Sequence, residues 1–242
     1  MSTGETVTGQ LQDRAYQFLR HALCEGRLAP GSELTESELA TRFQLTKAPL
    51  RWALSRLSHE GWLVALPRRG YQVRPITLRD AQDIFAMRKL LEPPAARMAA
   101  GHIESDVLLR MDDAVRRPYE AGEEEAQRQF FSANKAFHVG IAEASGNQRL
   151  AAAIAGLHDE CERILRFGMT HLDWSSNWRH GHEEIVEALV RGDGAQAEQL
   201  ALRQLETSEK FVLGALLAGF SDIPLGPRQL AGERSAGLTV RQ

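Results

Sequence analysis

Two groups of side chains have the types and spacing to do chemistry. The first is cationic: Lys47 and Arg51, four apart, and Arg68-Arg69 ahead of Gly70. Ammonium and guanidinium groups in such clusters meet phosphates and guanine edges, the chemistry of duplex DNA recognition. A solvated basic face is the alternative for either cluster alone. The second group is neutral and basic: Asn134 and His138, also four apart, then His182 and, 22 residues later, Gln204. Asn134 and His138 share one helical face and can converge on an ion or a ligand. Arg88 stands among Phe85, Met87, Leu90 and Leu91, so its guanidinium needs an anion, either Glu92 one turn on or the carboxylate of a bound molecule.

The elements that must position these residues follow from periodicity. Leu11, Ala15, Phe18, Leu19, Ala22 and Leu23 recur at helical spacing, predicting a first helix to Cys24. A turn at Leu28–Ser32 leads to Thr35-Glu36-Ser37-Glu38, a capping-box pattern that opens a short second helix to Phe43. Thr46 is placed to cap a third helix, with Pro49 in its first turn and Leu50, Ala53, Leu54 and Leu57 on its buried side. Thr46, Lys47, Ala48, Arg51 and Ser55 then lie on or near the opposite face. Trp62–Leu66 and Tyr71–Val73 read as two strands around the basic turn Pro67–Gly70. This order is that of a winged helix-turn-helix, the third helix entering a major groove and the hairpin tip reaching backbone or minor groove. A small helical domain without a nucleic-acid role is the alternative.

From Thr77 the pattern is all helical, over about 78–100, 104–121, 124–145, 148–170, 180–192 and 194–218, with Pro93-Pro94 expected to kink or split the first. Short connections imply an antiparallel bundle of six or seven helices in a mainly α protein. The expected organisation is residues 8–75 as the winged head, 76–220 as the bundle and 221–242 as a flexible tail. Trp174 and Trp178 flank the loop before His182 and are placed to cover a ligand or to pack in the core.

The run from Leu39 through Arg42-Phe43-Gln44-Leu45-Thr46-Lys47-Ala48-Pro49-Leu50-Arg51 to Leu57, followed by Glu60-Gly61-Trp62-Leu63 and Arg68-Arg69-Gly70, resembles the winged-helix domain of GntR-family transcriptional regulators. By that resemblance Thr46, Lys47, Ala48, Arg51 and Gly70 fall where the family contacts operator DNA, and Ser37 is a further candidate. Lys47 stands where the family usually has Arg, Ala48 where Thr is common and Trp52 where Glu is common, which bears on the operator sequence rather than on DNA binding. Arg88–Pro93, Asn134–His138 and Ala142–Leu150 are similar to the FCD effector domain of the FadR-like subgroup. The resemblance implies a homodimer whose helical domain encloses a small organic acid, often beside a divalent metal such as zinc held by one carboxylate and three histidines.

By the family's spacing the metal positions are Asn134, His138, His182 and Gln204. Asn134 replaces the usual carboxylate and Gln204 the third histidine, and neutral amide oxygens are weaker ligands for zinc-like ions, which implies a loosely held ion or none. His180 is a possible stand-in, though near a helix start it should point elsewhere. Without an ion the same four residues, with Arg88, suit a carboxylate or hydroxyl group of a carboxylic or sugar acid.

Composition sets the outer bounds. The 242 residues carry 29 Lys+Arg and 32 Asp+Glu, a formal −3, so a nucleic-acid surface must be local. Residues 1–75 are +3 and the remainder −6. Two cysteines, Cys24 and Cys161, make neither a disulfide framework nor a thiolate zinc site and read as small core residues. With no long apolar run and no secretory signal pattern, the expectation is a cytoplasmic protein without a membrane partner. A metal-dependent enzyme is the rival class, suggested by His180-Gly181-His182-Glu183-Glu184. Val186 stands where a zincin helix needs its second histidine, and neither a Gly-x-Ser-x-Gly elbow nor a Gly-rich phosphate loop is present. A helical binding or scaffold module is the third reading. The sequence therefore points to a ligand-responsive repressor acting on a near-palindromic operator.

Overall fold

The computed structural model describes residues 3–115, 123–169 and 182–221. The chain runs α1 (Thr3–Cys24), β1 (Glu33–Leu34), α2 (Glu36–Phe43), α3 (Lys47–His59), β2 (Leu63–Leu66), β3 (Gly70–Val73), α4 (Leu78–Ala99), α5 (Ser105–Val115), α6 (Glu124–Ala144), α7 (Gln148–Met169), α8 (His182–Val190) and α9 (Gly194–Ser221). The expected winged helix-turn-helix and all-helical remainder are both present.

In the head, Ala15, Leu19, Ala22 and Leu23 of α1 pack on Leu50, Ala53, Leu54 and Leu57 of α3, all essentially buried. The start of α2 is fixed as expected, Thr35 and Glu38 closing a capping box. Thr46 does sit at the N-cap of α3, but its side chain makes no capping bond. The reason is Pro49: it occupies the third helical position, so the N–H that an N-cap hydroxyl usually accepts does not exist.

The hairpin gains a strand that sequence periodicity misses. Glu33 and Leu34 pair antiparallel with Gln72 and Tyr71, giving a sheet of order β1-β3-β2. Two residues are too few for alternation to register. At the wing tip Arg69 N–H bonds the Leu66 carbonyl, with Pro67 second and Arg68 third at φ 64°, a type II turn pattern. Gly70 has φ 107°, and a Cβ there would lie 2.3 Å from the Leu34 carbonyl oxygen, so only glycine lets β3 cross β1 this closely.

The helical part has its own core, built on Phe85, Leu108, Phe137, Ile185, Leu189, Leu205 and Leu216. A second capping box, Thr77 with Asp80, starts α4. Of the kink or split expected at Pro93-Pro94, the split does not occur: α4 continues through both prolines. The two prolines remove two N–H donors, but Pro93 is buried among the neighbouring helices, whose packing holds the axis together. The break expected at Gly122 and the segments bearing Trp174, Trp178 and His180, like the tail from 222, lie outside the described residues.

Candidate functional site

The cationic residues converge. Ser37, Lys47, Arg51, Arg68, Arg69 and Gly70 line one open concavity of about 630 Å³ between α2, α3 and the wing. Thr46 and Ala48 are exposed beside Lys47 at the start of α3, outside that lining. The arginines are not bare. Arg51 Nε donates to Glu36 Oε2 at 2.7 Å, which raises the guanidinium pKa, and Arg69 Nη2 donates to both oxygens of Glu33 at 2.9 and 2.8 Å. Ser37 Oγ lies 3.1 Å from Thr35 Oγ1. The two glutamates carry no motif of their own, so sequence reasoning passes them over.

The second group converges inside the bundle. Arg88, Glu92, Asn134, His138 and His182 are all at most 7% exposed, and Gln204 is half-buried. Of the two anions open to Arg88, the structure shows Glu92: Nε to Oε1 is 2.5 Å, with further contacts to Cys161 Sγ at 3.3 Å and His158 Nε2 at 3.2 Å. Glu92 also meets His138 Nδ1 at 2.9 Å and His158 Nε2 at 3.2 Å. Burial alone would raise the Glu92 pKa; Arg88 and the two histidines hold it well below the carboxylate range. Burial, reinforced by Arg88, pushes His158 down to about 3, and burial likewise holds His182 well below 6.5. Both rings are therefore neutral.

His182 stacks on Phe137 at 4.2 Å, approaches Asp112 with Nδ1 at 3.9 Å, and lies with Nε2 3.5 Å from Gln204 Nε2. Asn134 Oδ1, His138 Nε2 and Gln204 Oε1 are buried with no hydrogen-bond partner among the described residues. Glu92, His138 and Gln204 line a cavity of about 20 Å³, room for one water or ion rather than an organic acid. His158 is the member the sequence reading missed. It sits four residues after Ile154 and three before Cys161, on the buried stripe of α7, so a histidine on an apolar stripe was the available signal.

Residues 11–73 match the family described as bacterial regulatory proteins, gntR family, and residues 83–207 match the FCD domain. The chain belongs to the GntR family, with an FCD domain. Among its relatives are the HTH-type transcriptional repressor RspR of Escherichia coli (strain K12), 24% identical over 82% of this chain and 87% of that protein, and a Paenarthrobacter nicotinovorans protein named "Probable D-xylose utilization operon transcriptional repressor", 29% identical over 81% and 84%. The E. coli McbR/YncC structure shares the fold, with TM-score 0.71 and 20% identity over 85% of this chain and 98% of that one. This GntR protein is accordingly a DNA-binding transcriptional regulator and not an enzyme. No helix among the described residues is long and apolar enough to cross a membrane.

Within the FCD domain two donor sets compete as metal sites. Glu92, His138 and His158 have ligand atoms within 4.8 Å of one another. The Arg88 guanidinium already pairs with Glu92 and contacts His158, so that set suits no further cation. The family positions fare better. His138 presents an unpartnered Nε2 while Glu92 fixes its Nδ1, an arrangement in which a carboxylate orients a metal-ligating imidazole, and His182 has Asp112 at 3.9 Å on its Nδ1 side, beyond hydrogen-bond reach. Asn134 Oδ1 and Gln204 Oε1 are likewise buried without a partner among the described residues, and such neutral donors would hold a divalent ion only weakly.

Proposed function

We propose that this GntR protein is a repressor whose hold on a near-palindromic operator is modulated by a small carboxylic or sugar acid bound in the FCD domain. The observation that carries the DNA half is the single concavity in which Lys47 and Arg51 of α3 face Arg68 and Arg69 of the wing, with Ser37 on α2 at its edge. Lys47 and Arg51 read bases; Arg68 and Arg69 hold backbone or minor groove, and the free Thr46 hydroxyl and the N–H groups of Lys47 and Ala48 at the start of α3 meet phosphate. Gly70 acts by letting the wing approach β1. Two copies present two such heads to successive turns of the duplex.

The effector half rests on the orphaned acceptors of Asn134, His138 and Gln204 beside the Arg88–Glu92 pair. A divalent ion such as zinc would be held by Asn134, His138 and His182 with Gln204, and would supply a positive centre for the effector's carboxylate. Because the cavity is small, an acid enters only as side chains around Glu92 shift, and α7 carries that shift to the head. His158 of α7 touches Arg88 and Glu92, while the adjacent Asp159 bonds Arg20 of α1 at 2.8 Å and Lys135 of α6 at 2.5 Å. Arg163, one turn on, donates to the Arg74 carbonyl after the wing and lies over Trp62.

Fluorescence anisotropy of the full chain on DNA upstream of its own gene, with a panel of carboxylic and sugar acids and with or without zinc, tests the reading. Binding that one acid releases supports it. Failure to bind any duplex at low salt, or binding that Arg51→Glu leaves intact, overturns it.

A further inference from the structure

Resting on the reading of Arg51 and Arg69 as DNA-facing, the two glutamates that hold them have a task of their own. Glu36 is the first residue of α2, whose start is pinned by the Thr35–Glu38 capping box, so its carboxylate is presented from a fixed point. It takes only the Nε of Arg51. That leaves Nη1 and Nη2, an edge able to pair with guanine O6 and N7, without a hydrogen-bond partner among the described residues. Arg51 is 66% exposed on its side chain and Glu36 35%, so the bond contributes little stability in water and much orientation. At the wing, Glu33 of β1 holds Arg69 through Nη2 alone.

The geometry points to Glu36 as a specificity-setting residue: it positions Arg51 to read a guanine and penalises contact with DNA that offers phosphates but not the matching base, while Glu33 lowers the wing's hold on phosphate for every sequence. A phosphate competing for either arginine must displace a carboxylate or approach one. A guanine edge engages Arg51 without disturbing Glu36. Selectivity at that position is thereby built from a repulsive group as well as attractive ones.

The test is selection from a randomised double-stranded library with the full-length wild type, Glu36→Ala, Glu36→Gln, Glu33→Gln and Arg51→Ala. It is followed by anisotropy on the selected duplex and on a mixed-sequence duplex. Arg51→Ala identifies the base position that Arg51 reads. Glu36→Ala should flatten that same position, with discrimination falling about tenfold. Glu36→Gln keeps an acceptor for Nε, so it should retain the base preference while binding the mixed-sequence duplex about two- to fivefold more tightly. Glu33→Gln should show the same rise and no change in base preference. Unchanged discrimination in Glu36→Ala overturns the positioning role, and unchanged mixed-sequence affinity in both glutamine variants overturns the penalty. Should Glu36→Ala melt early, Glu36→Asp, whose shorter side chain falls short of Arg51 Nε, replaces it: a loss of discrimination at that position supports the positioning role and unchanged discrimination overturns it. A wild type that selects no motif fails earlier, at the DNA reading itself.

Discussion

Arg88 and Glu92 form a buried ion pair that His138, His158 and Cys161 complete with hydrogen bonds. Breaking such a pair by removing one charge leaves the other uncompensated, which typically costs about 3–5 kcal/mol. The neighbouring histidines add a pH dependence with a definite sign. His158 stays neutral in the folded chain down to about pH 3 and takes a proton near pH 6.5 once unfolded, and His182 is shifted in the same direction. Stability is therefore full above pH 6.5 and falls as pH drops through 6.5 toward 3, at roughly 1.4 kcal/mol per pH unit for His158, with His182 adding to the fall in the same direction. Glu92 adds to the fall below its unfolded value of 4.5. Thermal melts should give a Tm that is flat above about pH 7 and declines below it. His158→Asn should make the decline between pH 6.5 and 4.5 shallower by roughly 1.4 kcal/mol per pH unit; an undiminished decline would refute the assignment.

At the scale of elements, α7 is the bridge between the two cores, since Asp159 and Arg163 face the head while His158 faces the bundle's charged cluster. Asp159→Asn keeps the hydrogen-bonding shape and removes the charge that binds Arg20 and Lys135. Operator affinity without effector should change by less than about threefold, the worth of a partly exposed pair, whereas release by effector should weaken markedly. Equal effector response in wild type and variant, read by the same anisotropy titration, would exclude this route. The helices themselves were legible from the sequence: the stripes of α1 and α3 and the box at Thr35 are local patterns, and local chemistry decides them. What escaped was decided elsewhere. β1 exists because β3 passes beside it, α4 survives Pro93 because neighbours bury it, and Thr46 fails to cap because Pro49 lacks a donor. In the site, Lys47, Arg51 and Arg69 were legible as exposed cations. Their carboxylate partners 15 and 36 residues away were not, because tertiary ion pairs leave no periodic trace.

At the scale of the whole molecule, a formal charge of −3 leaves DNA affinity to a few cations, so salt dependence reports how many are engaged. Each head offers Lys47, Arg51, Arg68 and Arg69. If two heads engaged all of these, log affinity would fall against log salt with a slope of about −7, and affinity would drop about 10⁴-fold between 50 and 200 mM. Glu33 and Glu36 already neutralise half of the cations, so the wild-type slope should be shallower, between about −4 and −7. The Glu33→Gln, Glu36→Gln double variant should approach the steeper limit. One head alone can give at most about −4, whatever its glutamates do. Titrations at three salt concentrations, with light scattering to fix two chains per duplex, separate the cases. A slope shallower than −4 with one chain per duplex would remove the two-headed arrangement and, with it, the near-palindromic operator. The expected slope with two chains per duplex makes the relative placement of the heads the quantity an effector must alter, because each head alone carries too few cations to hold its site at physiological salt.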